Sequence, residues 1–458
     1  MTQSTHQAFD IQSLRWQLTG RVITPDDAGY DEARMMFDGG LDPHPAVIAQ
    51  VADTADVARV VTIARDGGIE LAVRSGGHSV AGHSTTDGGL VLDLRAMKRI
   101  DIDVADRTAW AETGLSAVEY TQATAEHGLV TGFGDTGSVG IGGITLGGGV
   151  GFLVRKHGLT IDSLLAAEVV TADGRVMMAD AETNPDLFWA IRGGGGNFGV
   201  ATRFHYRLQP IDTIVGGMMI LPASAGAIGR FIAESEAAPE ELSTIANVMN
   251  CPPMPFVPEE LHGSLVIMGL VAWCGEVEAG QKMMKRLAGD AEPIADMTGP
   301  ISYPELYPPE EDYHPTAVAR TMFADSFDET TAETILDHLA ASDASLRVTQ
   351  LRVLGGAMAR VPNENTAFAH RDRKLMINVA AFYEGPEDLP RREEWVTELA
   401  GILSKGDERG YIGFLANEGQ DRVRAAYPGA TWDRLGRVKA KYDPDNLFRL
   451  NQNIPPAD

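Results

Sequence analysis

Cysteine is nearly absent: the 458 residues include two, Cys251 and Cys274. Two thiols so far apart make no disulfide framework and show no metal-ligand spacing, though a single bridge stays open. No metal site is expected. Long apolar runs are also missing, since nothing approaches the roughly 18 continuous residues of a membrane span. The polar start, Met1 to Asp10, lacks the basic-then-apolar pattern of a secretory signal, so a cytoplasmic location is expected. Basic residues are scarce, 38 against 64 acidic ones, for a net charge of −26. That balance argues against nucleic acid and anionic membrane surfaces as partners and reads as a solvated acidic exterior. No lysine follows a G-x-x-x-x-G, so there is no P-loop. Gly140-Ile-Gly-Gly is close to a dinucleotide fingerprint in letters, but no convincing strand precedes it. Neither internal repeats nor low-complexity tracts occur.

What is present is the composition of a folded globular chain, 44% hydrophobic and 22% charged, long enough for two or three domains. The 50 glycines are concentrated between residues 132 and 199. A first motif precedes them. The apolar run from Ile69 to Val73 reads as a buried strand, and Arg74-Ser75-Gly76-Gly77-His78-Ser79 turns sharply out of it and places a histidine at the turn. The second stretch, Gly132 to Gly151, is too rich in glycine for a stable helix or a flat central strand. Its use is to bring backbone N–H groups close to a ligand.

Around these motifs the chain punctuates itself clearly. Val57, Val60, Val61 and Ala64 fall at helical spacing between a cap at Thr54 and a stop at Gly67-Gly68. Hairpins are predicted around Ala105-Asp106-Arg107 and across Ala172-Asp173-Gly174. Asn184 caps a helix with Pro185 in its first turn, which buries Leu187, Phe188 and Ile191 and ends at the glycines 193–196. Past Pro210 the pattern changes. Strands are predicted near 214–221, 262–273, 347–354 and 374–384, and helices near 225–236, 278–288, 330–341 and 390–404. Such blocks suggest an antiparallel sheet with helices on one face. The proline-rich pieces 252–258 and 304–315 read as loops.

Four stretches, taken together, resemble a known family. They are Arg74 to Ser79, Gly140 to Gly151, Asp186 to Gly199, and Tyr442 to Asn453. Their order and spacing are those of the vanillyl-alcohol oxidase and p-cresol methylhydroxylase flavoproteins, closest to the berberine bridge enzyme-like branch. The resemblance implies an α+β chain. Its FAD-binding domain comes in two segments, 1–210 and 411–458, around a substrate-binding domain at 211–410. It implies an FAD oxidoreductase that takes hydride from an alcohol or amine carbon of a small organic substrate, with O2 as acceptor. A dehydrogenase using another acceptor and a flavin-binding protein without turnover are the alternatives.

The resemblance also assigns residues. His78 would carry the flavin on its 8α-methyl group. A second link, through cysteine, is not expected, because Thr136 stands at that position. Thr136, Gly137, Ser138 and the glycines 142, 143, 147, 148, 149 and 151 would face the cofactor, as would Gly199 and the backbone of Val200. Arg74, Ser75, Gly76, Gly77, Ser79, His83 and Asp162 join the same set, though Arg74 also reads as support for its loop and Asp162 as a cap. Asn451 and Asn453 match a polar pair near the ring or its ribityl chain. Tyr411 matches a ring-facing tyrosine, although Gly413 stands where an asparagine is usual. Arg352 stands where berberine bridge enzyme has a glutamate base; a guanidinium cannot act as one, but it can bind an anionic or carbonyl-bearing substrate. Gln350 shares its face of the strand. His370 and Arg371 read as buttresses between domains.

Overall fold

The computed structural model describes residues 10–309 and 313–458. Residues 1–9 of the polar start and 310–312 of the second proline-rich piece lie outside the described residues.

The architecture is α+β, with three main sheets. The first is small and mostly parallel. Val47–Gln50 and Leu71–Arg74 flank Leu90–Asp93 in parallel, and Arg21–Ile23 adds antiparallel at the edge. Helix Thr54–Gly67 covers it with Val57, Val60, Val61 and Ala64, all fully buried. The cap differs from expectation. Asp53, not Thr54, accepts the first-turn amide, that of Asp56, because Asp53 is the extended residue before the first turn and Thr54 already lies within it. Thr54 Oγ1 instead donates to Glu168 on the next sheet, at 2.8 Å.

The second sheet is antiparallel and contains both predicted hairpins, Ile100–Asp103 with Thr108–Glu112 and Leu164–Val170 with Val176–Asp180, joined by Val200–Arg207. Helix Pro185–Ala190 follows with Leu187, Phe188 and Ile191 buried as expected. Asn184 precedes it in a left-handed conformation but does not cap it. Its amide donates to the Met178 carbonyl at 2.7 Å.

The third sheet has eight strands among the described residues, all between 214 and 382 and paired antiparallel. Helices Ala225–Ala237, Val277–Ala288, Glu329–Ala341 and Leu389–Ser404 share one core with it, through Phe231, Met283, Ile335 and Leu399. Each such side chain contributes roughly 1.5–3 kcal/mol on burial. Four of the strands were not predicted: the short edge pieces Ala295–Asp296 and Gly299–Ile301, and two longer ones. Leu242–Asn250 is buried along its whole length, so it has no alternation to read, and Ala317–Ala324 follows a proline-rich loop. The two cysteines are free and buried.

The glycine-rich stretch overturns an expectation. Ile141–Gly147 is helical despite three glycines in seven residues. Tertiary packing overrides the weak propensity: Ile141 and Thr145 are fully buried, and the helix lies against the turn that carries His78. A Cβ on Gly140 would sit 2.2 Å from Gly76 N and 2.2 Å from Ser75 Oγ. The two backbones touch there, which only glycine permits.

Candidate functional site: a glycine-walled cavity

A cavity of about 380 Å3 lies where the small parallel sheet, the glycine helix and the C-terminal segment meet. Its walls are mostly apolar or bare backbone, the usual lining of a cofactor site. It brings together most of the residues singled out from the sequence: Ser75 to Ser79, His83, Thr136, Gly142, Gly143, Gly147, Gly199, Val200, Tyr411 and Asn451.

His78 is fixed from two sides. Its Nε2 is 2.9 Å from Ser138 Oγ. Its ring stacks on Phe37, centroids 4.1 Å apart and planes 22° apart. Burial pushes its pKa down to about 4, against a weaker opposing effect from a hydrogen bond with the Ser138 backbone. The imidazole is therefore neutral near pH 7 and keeps a nucleophilic lone pair. His83 is likewise driven down to about 4 by burial.

Tyr411 is buried, and its hydroxyl oxygen accepts the Gly149 amide at 3.1 Å. Burial raises its pKa, which keeps it a phenol near neutrality. Arg352 enters from the third sheet. Its Nη2 donates to Asp135 Oδ2 at 2.6 Å, its Nε to Gln350 Oε1 at 2.9 Å, and its guanidinium lies 5.1 Å from the centroid of the Phe414 ring. Gln350 in turn donates to Asn247 Oδ1 at 2.9 Å. Asp135 and Phe414 line the cavity, while Arg352 and Gln350 stand behind them.

Other predicted residues are placed outside the lining. Arg74 is buried and donates to the carbonyls of Ser84, at 3.1 Å, and Ala33, at 2.5 Å, so it supports the loop. Asp162 accepts Arg371 at 2.7 Å and the Leu159 amide at 2.9 Å, in line with the cap reading. His370 donates to the Ala426 carbonyl at 2.8 Å, a contact that ties 370 to the C-terminal segment as a buttress does. Gly148, Gly149 and Gly151 shape the backbone next to the wall. A Cβ on Gly151 would meet the Phe133 carbonyl at 1.6 Å.

Comparison with known proteins places this geometry. The family model "FAD binding domain" matches residues 45–180, and the model "Berberine and berberine like" matches 410–455. The chain is 31% identical to (R)-6-hydroxynicotine oxidase of Paenarthrobacter nicotinovorans, over 96% of this chain and 97% of that protein. The chain belongs to the berberine bridge enzyme-like family of FAD-linked oxidoreductases. Glucooligosaccharide oxidase of Sarocladium strictum is 27% identical over 94% of this chain and 91% of its own. The crystal structure of 6-hydroxy-D-nicotine oxidase from Arthrobacter nicotinovorans superposes with a TM-score of 0.85 at 30% identity, over 96% and 98% of the two chains. The protein is thus an FAD-dependent oxidoreductase of the flavin-oxidase kind.

The cavity fits the family's cofactor on its own evidence. A Cβ on Gly143 or Gly196 would meet nothing within 4 Å, so the backbone there faces open space. The buried side-chain oxygen of Asn451, on the lining, has no hydrogen-bond partner among the described residues, and neither has that of Asn453 just behind it in sequence; both are acceptors that the hydroxyl and N–H groups of FAD can satisfy.

Several residues of the site were not singled out in the sequence, although Asn197 and Asp443 lie within two of the four stretches. Asp135 is one acid among 64, and only its reach to Arg352 distinguishes it. Phe37 sits in an unremarked segment before the first motif. Lys439 and Asp443 form a fully buried ion pair at 2.5 Å. Lys439 Nζ also donates to the carbonyls of Asn197 at 2.8 Å and Phe448 at 3.0 Å. Asp443 accepts the amides of Leu447 and Phe448, at 2.8 and 2.9 Å. Asn197 completes the clasp: its side-chain oxygen accepts the Ile454 amide, at 2.9 Å. The C-terminal wall of the cavity hangs on this knot.

Proposed function

We propose that the protein is an oxidase whose FAD is tethered to His78 through the 8α-carbon, with no cysteinyl link, and that its substrate is a small organic molecule bearing a hydroxyl or amine on the carbon oxidised. Bound FAD supplies the two-electron acceptor, taking hydride at N5 and passing the electrons to O2. The observation that carries the reading is the meeting of a neutral, stacked His78 with a bare glycine wall and a buried tyrosine in one cavity. Thr136 stands where a cysteinyl link would need a thiolate, and a hydroxyl cannot supply one.

The FAD-binding unit is taken as 1–210 with 411–458, and the substrate-binding unit as 211–410. Within it, Arg352, steadied by Gln350, acts on a substrate oxygen through Asp135, which lines the cavity. A guanidinium held by a carboxylate and a carboxamide is a fixed donor rather than a base. Tyr411, a protonated phenol on the cavity wall, serves as a hydrogen-bond partner for the substrate's heteroatom. The names of the relatives, a hydroxynicotine oxidase and a glucooligosaccharide oxidase, span both amine-bearing and sugar substrates.

Anaerobic mixing of the purified yellow protein with a panel of alcohols, sugars and cyclic amines tests the reading. Bleaching of the flavin by a panel member followed by recovery in air is the expected result. Bleaching without recovery in air indicates a different electron acceptor. A protein that no member of a broad panel bleaches, yet that dithionite reduces, marks a flavin binder without turnover.

A further inference from the structure

We propose that Ser138 is the residue that prepares His78 for attachment, by holding the proton on Nε2 so that Nδ1 presents its lone pair to the cofactor. The inference rests on the tether proposed above and adds the residue that makes it form. Three observations converge. Ser138 Oγ is 2.9 Å from Nε2, which places a hydroxyl directly against that nitrogen. Phe37 stacks on the ring at 4.1 Å and fixes its plane, so the imidazole cannot turn to exchange its nitrogens. Both His78 and Phe37 line the cavity, so the fixed ring stands at the wall that the cofactor would meet.

The chemistry requires a hydroxyl at that place. Before the bond forms, Nε2 carries the proton and donates it to Ser138 Oγ. Nδ1 then bonds the 8α-carbon, which gives up one hydrogen, and the imidazole releases its Nε2 proton toward Ser138. The two electrons and two protons removed go to O2 as hydrogen peroxide. After attachment Nε2 holds a lone pair and needs a donor instead. A hydroxyl is both acceptor and donor, so Ser138 Oγ pairs with Nε2 in either state. A backbone carbonyl, which only accepts, cannot make that change. Ser138 is a positioning residue here, since it acts through His78.

The test uses full-length protein made under riboflavin limitation and then given FAD. The readout is flavin that stays with acid-precipitated protein over time, together with added flavin mass on the peptide containing residue 78. FAD binding by fluorescence quenching serves as the fold control. Ser138→Ala is expected to bind FAD yet to accumulate acid-stable flavin about tenfold more slowly, the effect of one lost hydrogen bond to the ring. Ser138→Thr, which keeps the hydroxyl, is expected to restore the rate to within about threefold of wild type, as a retained donor and acceptor should. Ser138→Ala at the wild-type rate overturns the proposal, and so does Ser138→Thr as slow as Ser138→Ala. Should Ser138→Ala fail to bind FAD, Ser138→Cys decides. Its weakly bonding thiol is expected to be slow, and a wild-type rate overturns the idea. A wild-type protein that releases all its flavin refutes the tether itself, which a failure confined to the variants does not.

Discussion

Replacing Asp443 with asparagine puts the C-terminal knot to a quantitative test. The carboxylate is fully buried and carries three bonds, from Lys439 Nζ and from the amides of Leu447 and Phe448. Asparagine keeps the size and one acceptor oxygen but removes the charge. Lys439 then remains as a cation with no exposure, held by two carbonyls alone. Breaking a buried pair from one side costs about 3–5 kcal/mol, because the remaining charge is left uncompensated. Lys439 already has its pKa lowered by burial, with Asp443 the opposing influence. Loss of Asp443 drives it further toward the neutral amine. The variant is thus expected to lose about 3–5 kcal/mol, roughly a hundredfold to a few thousandfold in the folded ratio. Urea unfolding followed by circular dichroism measures this, with flavin retention scored in parallel because residues 448–452 line the cavity. Lys439→Met combined with Asp443→Leu is expected to cost less than Asp443→Asn alone, since neither charge is then stranded. A single variant within about 1 kcal/mol of wild type, with full flavin retention, refutes the reasoning, because that is no more than an exposed ion pair contributes.

Two further outcomes follow from the geometry. Gly140→Ala forces a methyl to 2.2 Å from Gly76 N, so overpacking is expected to cost about 1–3 kcal/mol and to weaken FAD binding, as measured by melting temperature and fluorescence titration. His370 is buried against Phe323, with its Nδ1 lacking a partner, and burial holds its pKa down at about 4. Its folded-state pKa is depressed below the ordinary 6.5, so the contribution is intact above pH 6.5 and is lost as pH falls toward 4. A His370→Gln variant is expected to lose part of the acid sensitivity between those limits, on the order of 3 kcal/mol at most. Unfolding curves at pH 7 and pH 4.5 check this, and an unchanged difference between the two pH values counts against it.

Legibility in the sequence followed the range of the interaction. Local chemistry read well. The hairpin at Asp173-Gly174 and the four helices on the large sheet are where turn residues and apolar spacing put them. Where a short-range rule met tertiary packing, packing decided. Ile141–Gly147 became helical because its neighbours demanded close backbones, and Asp53 displaced Thr54 as cap. Leu242–Asn250 escaped notice because a strand covered on both faces shows no period. Of the site, the motif residues from Ser75 to His83 were legible as a set, since consecutive residues stay together in any fold. Asp135 and its partner Arg352, 217 positions away, were not paired by any signal in the letters. Arg352 itself was singled out through the resemblance, and its partner only by the fold.

The clasp at Asn197 has a consequence for the order of events in the cell. Gly195, Gly196, Gly199 and Val200 form one part of the cavity wall, and Phe448, Leu450, Asn451 and Gln452 another, fastened to the first through Lys439 and the Ile454 amide. During synthesis the first of these emerges from the ribosome some 250 residues before the second. Until residue 454 is free to fold back, the pocket has an open side. The pocket is therefore complete only once residues 448–454 are in place.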